Sequence, residues 1–134
     1  MAPQIEAFFR RALKVICPKT LVEGNLTKRV QSNNVHVVGF GKGAAGMVRG
    51  VLNSTNIVSG MVSVPIGTYD TMKRNERLDL WPEHKNVEVF EVAKNNLPDK
   101  AAAQASLAIL DYCSALNKGA NLIMLPCTQN VSTC

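Results

Sequence analysis

Val35-His36-Val37-Val38-Gly39-Phe40-Gly41-Lys42-Gly43-Ala44-Ala45-Gly46-Met47 is the stretch on which the fold turns. Its first half is a β-branched run, and such side chains fit the pleated surface of a buried strand. Gly41 interrupts the run and turns the chain. Ala44, Ala45, Met47, Val48, Val51 and Leu52 then recur at helical spacing, a helix of about three turns. Asn53-Ser54-Thr55-Asn56 closes it. A buried strand that passes through a glycine turn into a helix is the opening unit of a parallel α/β sheet.

The segments on either side extend the same alternation. Ile57 to Pro65 reads as a second strand. Ile66 to Lys85 is polar and charged and reads as a loop or small helical excursion, its KRNER run taken as a solvated face. Val87-Glu88-Val89-Phe90-Glu91-Val92 alternates strictly, as a strand near a sheet edge does. Pro98 opens a helix with Asp99 favourable to its dipole. That helix is expected to turn Ala103, Leu107, Leu110 and Ser114 inward and to end at Asn117-Lys118-Gly119. Leu122 to Leu125 is a short buried strand. Before all of these, residues 3–16 form an amphipathic helix whose core stripe is Ile5, Phe8, Phe9, Ala12 and Ile16. Cys17-Pro18 ends it, and 19–33 is an irregular loop. The fold class is therefore α/β, partial Rossmann-like, with a mostly parallel sheet covered by helices.

Composition narrows the function. The chain has 134 residues, 46% of them hydrophobic and 19% charged, enough for one globular domain. Its net charge of +5 suits anions. The cations are scattered without interleaved aromatics, which speaks against nucleic acid. Cys17, Cys113, Cys127 and Cys134 form no CxxC pair and stand with only His36 and His84, so a zinc site is not expected and reduced thiols are. The sequons at Asn25, Asn53 and Asn130 have no secretion signal beside them. No apolar run is long enough to span a bilayer. These features place the chain in the cytoplasm, with mitochondrial import the alternative suggested by the Arg-bearing N-terminus.

The chemistry gathers at the glycine turn. Glycines let a ligand approach the backbone, and a helix N-terminus offers unpaired N–H groups and partial positive charge. Lys42 adds a full charge, making an anion site for phosphate or carboxylate. Gly41, Gly43 and Gly46 match G-x-G-x-x-G. No Asp or Glu follows at the end of the second strand, where Ser63-Val64-Pro65-Ile66-Gly67 stands, so a dinucleotide is not favoured. The P-loop pattern fails as well, because Lys42 is followed by Gly43.

Residues 37–47, V-V-G-F-G-K-G-A-A-G-M, resemble the first strand, turn and helix of glycerate kinases that carry a MOFRL-associated domain. Val58 to Pro65 resembles that family's second strand, and Asn95-Asn96-Leu97-Pro98-Asp99 its turn before a helix. The resemblance covers roughly residues 4–125. It implies transfer of the γ-phosphoryl group of ATP to D-glycerate with magnesium, with Lys42 as the catalytic residue. It implies substrate- or phosphate-binding roles for Gly39, Gly41, Gly43 and Ala44, which shape the turn and begin the helix. Asp99 reads as a helix-start residue. D-glycerate and ATP are the implied partners, with neither nucleic acid nor membrane, and a homo-oligomer left open.

The family continues into S-G-G-G-S-A-L, whereas this sequence reads Leu125-Pro126-Cys127-Thr128-Gln129. Residues 1–125 are thus expected to be the N-terminal part of the MOFRL-associated domain and 126–134 a divergent tail. The sheet is expected to be incomplete, the second domain absent and the product inactive. The alternatives are a non-catalytic isoform and a small Rossmann-type nucleotide-binding module.

Overall fold

The computed structural model describes residues 3–15, 17–26, 34–94 and 97–127, without the side chains of Phe9 and 13–15. Its elements are α1 (Pro3–Val15), α2 (Pro18–Asn25), β1 (Val35–Gly41), α3 (Ala44–Ser54), β2 (Ile57–Pro65) and α4 (Thr68–Arg74). A 3-10 turn (Leu78–Leu80), β3 (Val87–Val92), α5 (Lys100–Ala115) and β4 (Asn121–Cys127) complete them. The sheet is α/β and fully parallel, in the order β3-β2-β1-β4. The chain steps outward from β1 to β3, then returns to the other side of β1. In such sheets ligands bind outside the carboxyl ends of the strands, where the order reverses. Here that point lies between β1 and β4, directly above Gly41.

Alternation along β1 assigns the two faces. Val35 and Val37 are fully buried with Ala44, Ala45, Val48 and Val51 of α3, and Val62, Val64 and Leu125 join the same cluster. Burying one such valine stabilises the fold by about 1.5–3 kcal/mol. His36 points to the opposite face. There its Nδ1 lies 3.0 Å from Ser59 Oγ and 3.1 Å from Tyr112 Oη, while the two hydroxyls are 2.7 Å apart. Tyr112 thereby fixes α5 to the N-terminal end of the sheet. Burial pushes its phenol above the ordinary tyrosine range, partly offset by the Ser59 hydrogen bond.

The strands lie where the β-branched runs place them, except that β4 continues through Pro126 and Cys127. Three helical expectations need correction. The stretch after Cys17 is not a loop from its start: Pro18 ends α1 but also occupies the first turn of α2, where proline costs nothing. Gly50 accounts for the close fit of α2, since a Cβ there would stand 2.6 Å from the Lys19 carbonyl oxygen. The described part of the expected core stripe of α1 is on the surface, with Ile5 54% and Phe8 72% exposed and Ala12 exposed too; the side chain of Phe9 lies outside the described residues. Periodicity shows that residues share a face, not that a core is there to receive it. In α5 the buried residues are Ala105 and Ile109; Leu107 and Leu110 are each 60% exposed, and Ala103 and Ser114 also face outward. Apolar residues surround this helix, so its period does not select a face. The expectations at Ile16, residues 27–33, Asn95-Asn96 and 128–134 lie outside the described residues. The reduced-thiol reading holds for Cys113 and Cys127, and not for Cys17, which carries a disulfide.

Candidate functional site

Lys42 is the residue that the fold places best. It follows β1 at the carboxyl end of the sheet, half-buried, and lines both of two cavities that open there. The first, of about 260 Å³, lies toward α4 and the 3-10 turn, between Lys42, Pro65, Thr68, Thr71, Asn75 and Arg77. The second, of about 220 Å³, lies over the strand ends, between Gly41, Lys42, Ser63, Ala93, Ser106 and Cys127. Pro65 borders both, so Lys42 stands between two adjoining spaces.

The other expected site residues divide. Gly41 lines the second cavity. Its φ of +103° is one that side chains rarely adopt, and a Cβ there would collide with the Cys127 carbonyl oxygen. The glycine thus lets β4 approach the turn. Gly39 does not reach either cavity: a Cβ on it would meet Val48 Cγ2 at 3.0 Å, so this glycine seats α3 on the sheet. At Gly43 an added Cβ would lie 2.8 Å from Cys127 Sγ. Gly46, the last glycine of the G-x-G-x-x-G match, faces Pro18 of α2. Ala44 is fully buried in the core, so only its backbone could serve a ligand.

Asp99 acts as a helix cap. Its Oδ1 accepts a 2.7 Å hydrogen bond from the Ala102 N–H and its Oδ2 a 3.3 Å bond from the Lys94 N–H. These bonds, the one from Ala102 foremost, hold its carboxyl below the usual carboxylate range. They also brace Ala93, a cavity-lining residue held at φ +61°. Helix α5 begins at Lys100, with Asp99 itself as N-cap, two residues later than a start at Pro98.

Arg77 carries no local signal of a site. It belongs to the charge run taken as solvated, yet it lines the first cavity with Lys42. Its Nε donates to Asp79 Oδ1 at 3.0 Å and its Nη2 to Oδ2 at 3.3 Å. That fork is the main reason the Asp79 carboxyl sits below its ordinary range. Thr68, Thr71 and Asn75 were missed as well; their spacing of three and four puts them on one side of α4.

The charged side chains lining the cavities are cationic, Lys42 in both and Arg77 in the first. Among the described residues, no Asp, Glu or His lines either cavity. Among the described residues, no group of three His, Cys, Asp or Glu side chains is placed to hold a metal. Magnesium takes hard oxygen ligands, carboxylates and phosphates above all. The cavity linings therefore do not fit as its protein ligands. No helix among the described residues is long and apolar enough to cross a membrane.

A family model described as Domain of unknown function (DUF4147) matches residues 4–127. The chain belongs to the DUF4147 family. The match takes in every described strand and ends with β4. Curated proteins named glycerate kinase are similar to this DUF4147 chain. That of Homo sapiens is 38% identical over 69% of the chain and 18% of its own length. That of Bos taurus is 30% identical over 93% of the chain and 27% of its own length, and that of Mus musculus 36% over 69% and 18%. The chain thus spans about a fifth to a quarter of the relatives it matches. No solved structure matches it.

Proposed function

We propose that this chain carries one wall of a glycerate kinase site, at which a phosphoryl group passes from ATP to the 2-hydroxyl of D-glycerate, giving 2-phosphoglycerate. The observation that supports this reading is Lys42, set between two anion-suited cavities at the carboxyl ends of the strands. In the transfer, the glycerate oxygen forms its bond to the γ-phosphorus as the bond to the ADP oxygen breaks, and the hydroxyl proton passes to solvent water. Negative charge is spread over the phosphoryl oxygens throughout, so a fixed cation beside them assists by position and charge. Lys42 is the residue for that role. Any magnesium would be held by the nucleotide's phosphates and by residues other than those lining the cavities.

A single wall aligns neither substrate against the other, and alignment supplies much of the rate in such reactions. We infer that residues 1–134, taken by themselves, bind the ligands without turning them over. The experiment is a thermal melt of the chain with magnesium-ATP and D-glycerate, paired with a turnover assay. A ligand that binds only the folded chain raises its stability by about 2.7 kcal/mol at a hundred times its Kd. The expected result is a raised melt for the wild type, no rise for Lys42→Ala, and no steady product. An equal rise in Lys42→Ala would overturn the role of Lys42, and steady turnover would overturn the inactivity.

A further inference from the structure

The first cavity differs from the second in ways that select a ligand. Thr68, Thr71 and Asn75 present neutral hydrogen-bonding groups at the cavity, and Arg77 lines it together with Lys42; the Thr68 hydroxyl donates to the Pro65 carbonyl and keeps its lone pairs for a ligand. Ile66, Met72 and Leu80 supply an apolar lining. Two cations and several neutral polar groups, with no carboxylate among the described lining residues, suit a small anion that also carries hydroxyls. At about 260 Å³ the space is large enough for a few-carbon acid, and the second cavity is no larger, so what separates the two is the lining, which holds Arg77 only in the first. Arg77 is also held in place. Asp79 grips two of its nitrogens and leaves the remaining N–H groups of the guanidinium for a ligand. A planar guanidinium matches a carboxylate better than an ammonium does.

We propose that this cavity is the hydroxy-acid subsite, with Arg77 binding the carboxylate and Thr68, Thr71 and Asn75 the hydroxyls. Lys42 then stands between the acid and the phosphoryl donor, whose phosphate end lies in the second cavity beside Gly41 and Ser63. This assignment rests on the kinase reading above, and adds to it which cavity takes which substrate and which residue recognises the acid.

The test is a titration of the 15N-labelled 134-residue chain, following amide shifts. D-glycerate is expected to move Lys42 and residues 66–77, and glycerol, which lacks the carboxylate, to move none of them. Arg77→Ala is expected to weaken glycerate binding by about tenfold or more, and Arg77→Lys to recover only part of the loss. Lys73→Ala removes a charge from the same run outside the cavity and should stay within about twofold of wild type. Because Arg77→Ala also leaves Asp79 unpaired, the double variant Arg77→Ala with Asp79→Asn is included; it should stay weak. Recovery of the double variant to within about twofold of wild type, or no loss in Arg77→Ala, would overturn the assignment. So would the absence of any glycerate shift. In each of these cases, ATP shifts at Gly41 to Gly43 that vanish in Lys42→Ala would leave the kinase reading standing. If those are absent too, both fall.

Discussion

Single residues at the carboxyl end of β1 do structural and chemical work side by side. Gly41 is a clear case. Any side chain there suffers both an unfavourable φ and a collision with the Cys127 carbonyl. Gly41→Ala is therefore expected to destabilise the chain by ~2 kcal/mol or more, read as a lower denaturation midpoint with an unchanged slope. A variant as stable as wild type would mean that β4 does not pack as described. Asp99 makes a prediction in pH. Its folded carboxyl sits below its unfolded value, so its contribution is present above the unfolded pKa, near 3.8, and fades as pH falls through the lower folded value. Asp99→Asn still accepts the capping bonds but cannot titrate. Its melting temperature should fall less than that of wild type as the medium is taken from pH 5 toward pH 2. Parallel curves would remove Asp99 from the acid response.

At the scale of elements, the helices are held by different means. Helix α3 rests on buried valines and close glycine contacts, whereas α5 buries little and relies more on Tyr112. Tyr112→Phe keeps the ring and the His36–Ser59 contact but loses the hydroxyl, and should cost about 1 kcal/mol. Hydrogen exchange should rise in α5 and stay unchanged in α3; equal acceleration in both would mean that Tyr112 does not act locally. The contrast also explains what could be read from sequence. Strands declare themselves through local β-branched runs, and Lys42 through its neighbours in the turn. Helix α2 was hidden because Pro18 serves two helices at once, and the inner face of α5 because apolar residues ring it. Arg77 could not be singled out from Lys73 and Arg74. Which cation of an exposed run meets a cavity is settled by residues thirty-five positions away, around Lys42, and no local pattern carries that.

At the scale of the whole molecule, the sheet is covered unevenly. Helix α3 covers one face. On the other, α5 packs over β2 and β3, and among the described residues the β1–β4 half combines the fully buried Val38 with partly exposed apolar neighbours. Register places Val38 beside Met124 and Phe40 beside Pro126 on that half, where Phe40 is 37% and Met124 56% exposed. Leu107 and Leu110, three apart on α5, add further apolar surface. Among the described residues both β3 and β4 are edge strands, and an apolar face next to an open edge is a template for association. The purified chain is expected to bind a hydrophobic dye while folded and to self-associate as its concentration rises from micromolar toward millimolar. Met124→Lys with Leu110→Lys changes exposed positions only, and should reduce both effects while leaving the melting temperature nearly unchanged. Sedimentation of the two proteins over that range decides it. A wild-type chain that stays monomeric and dye-free throughout would show that this face is covered in solution, and that the sheet is more complete than its four strands suggest.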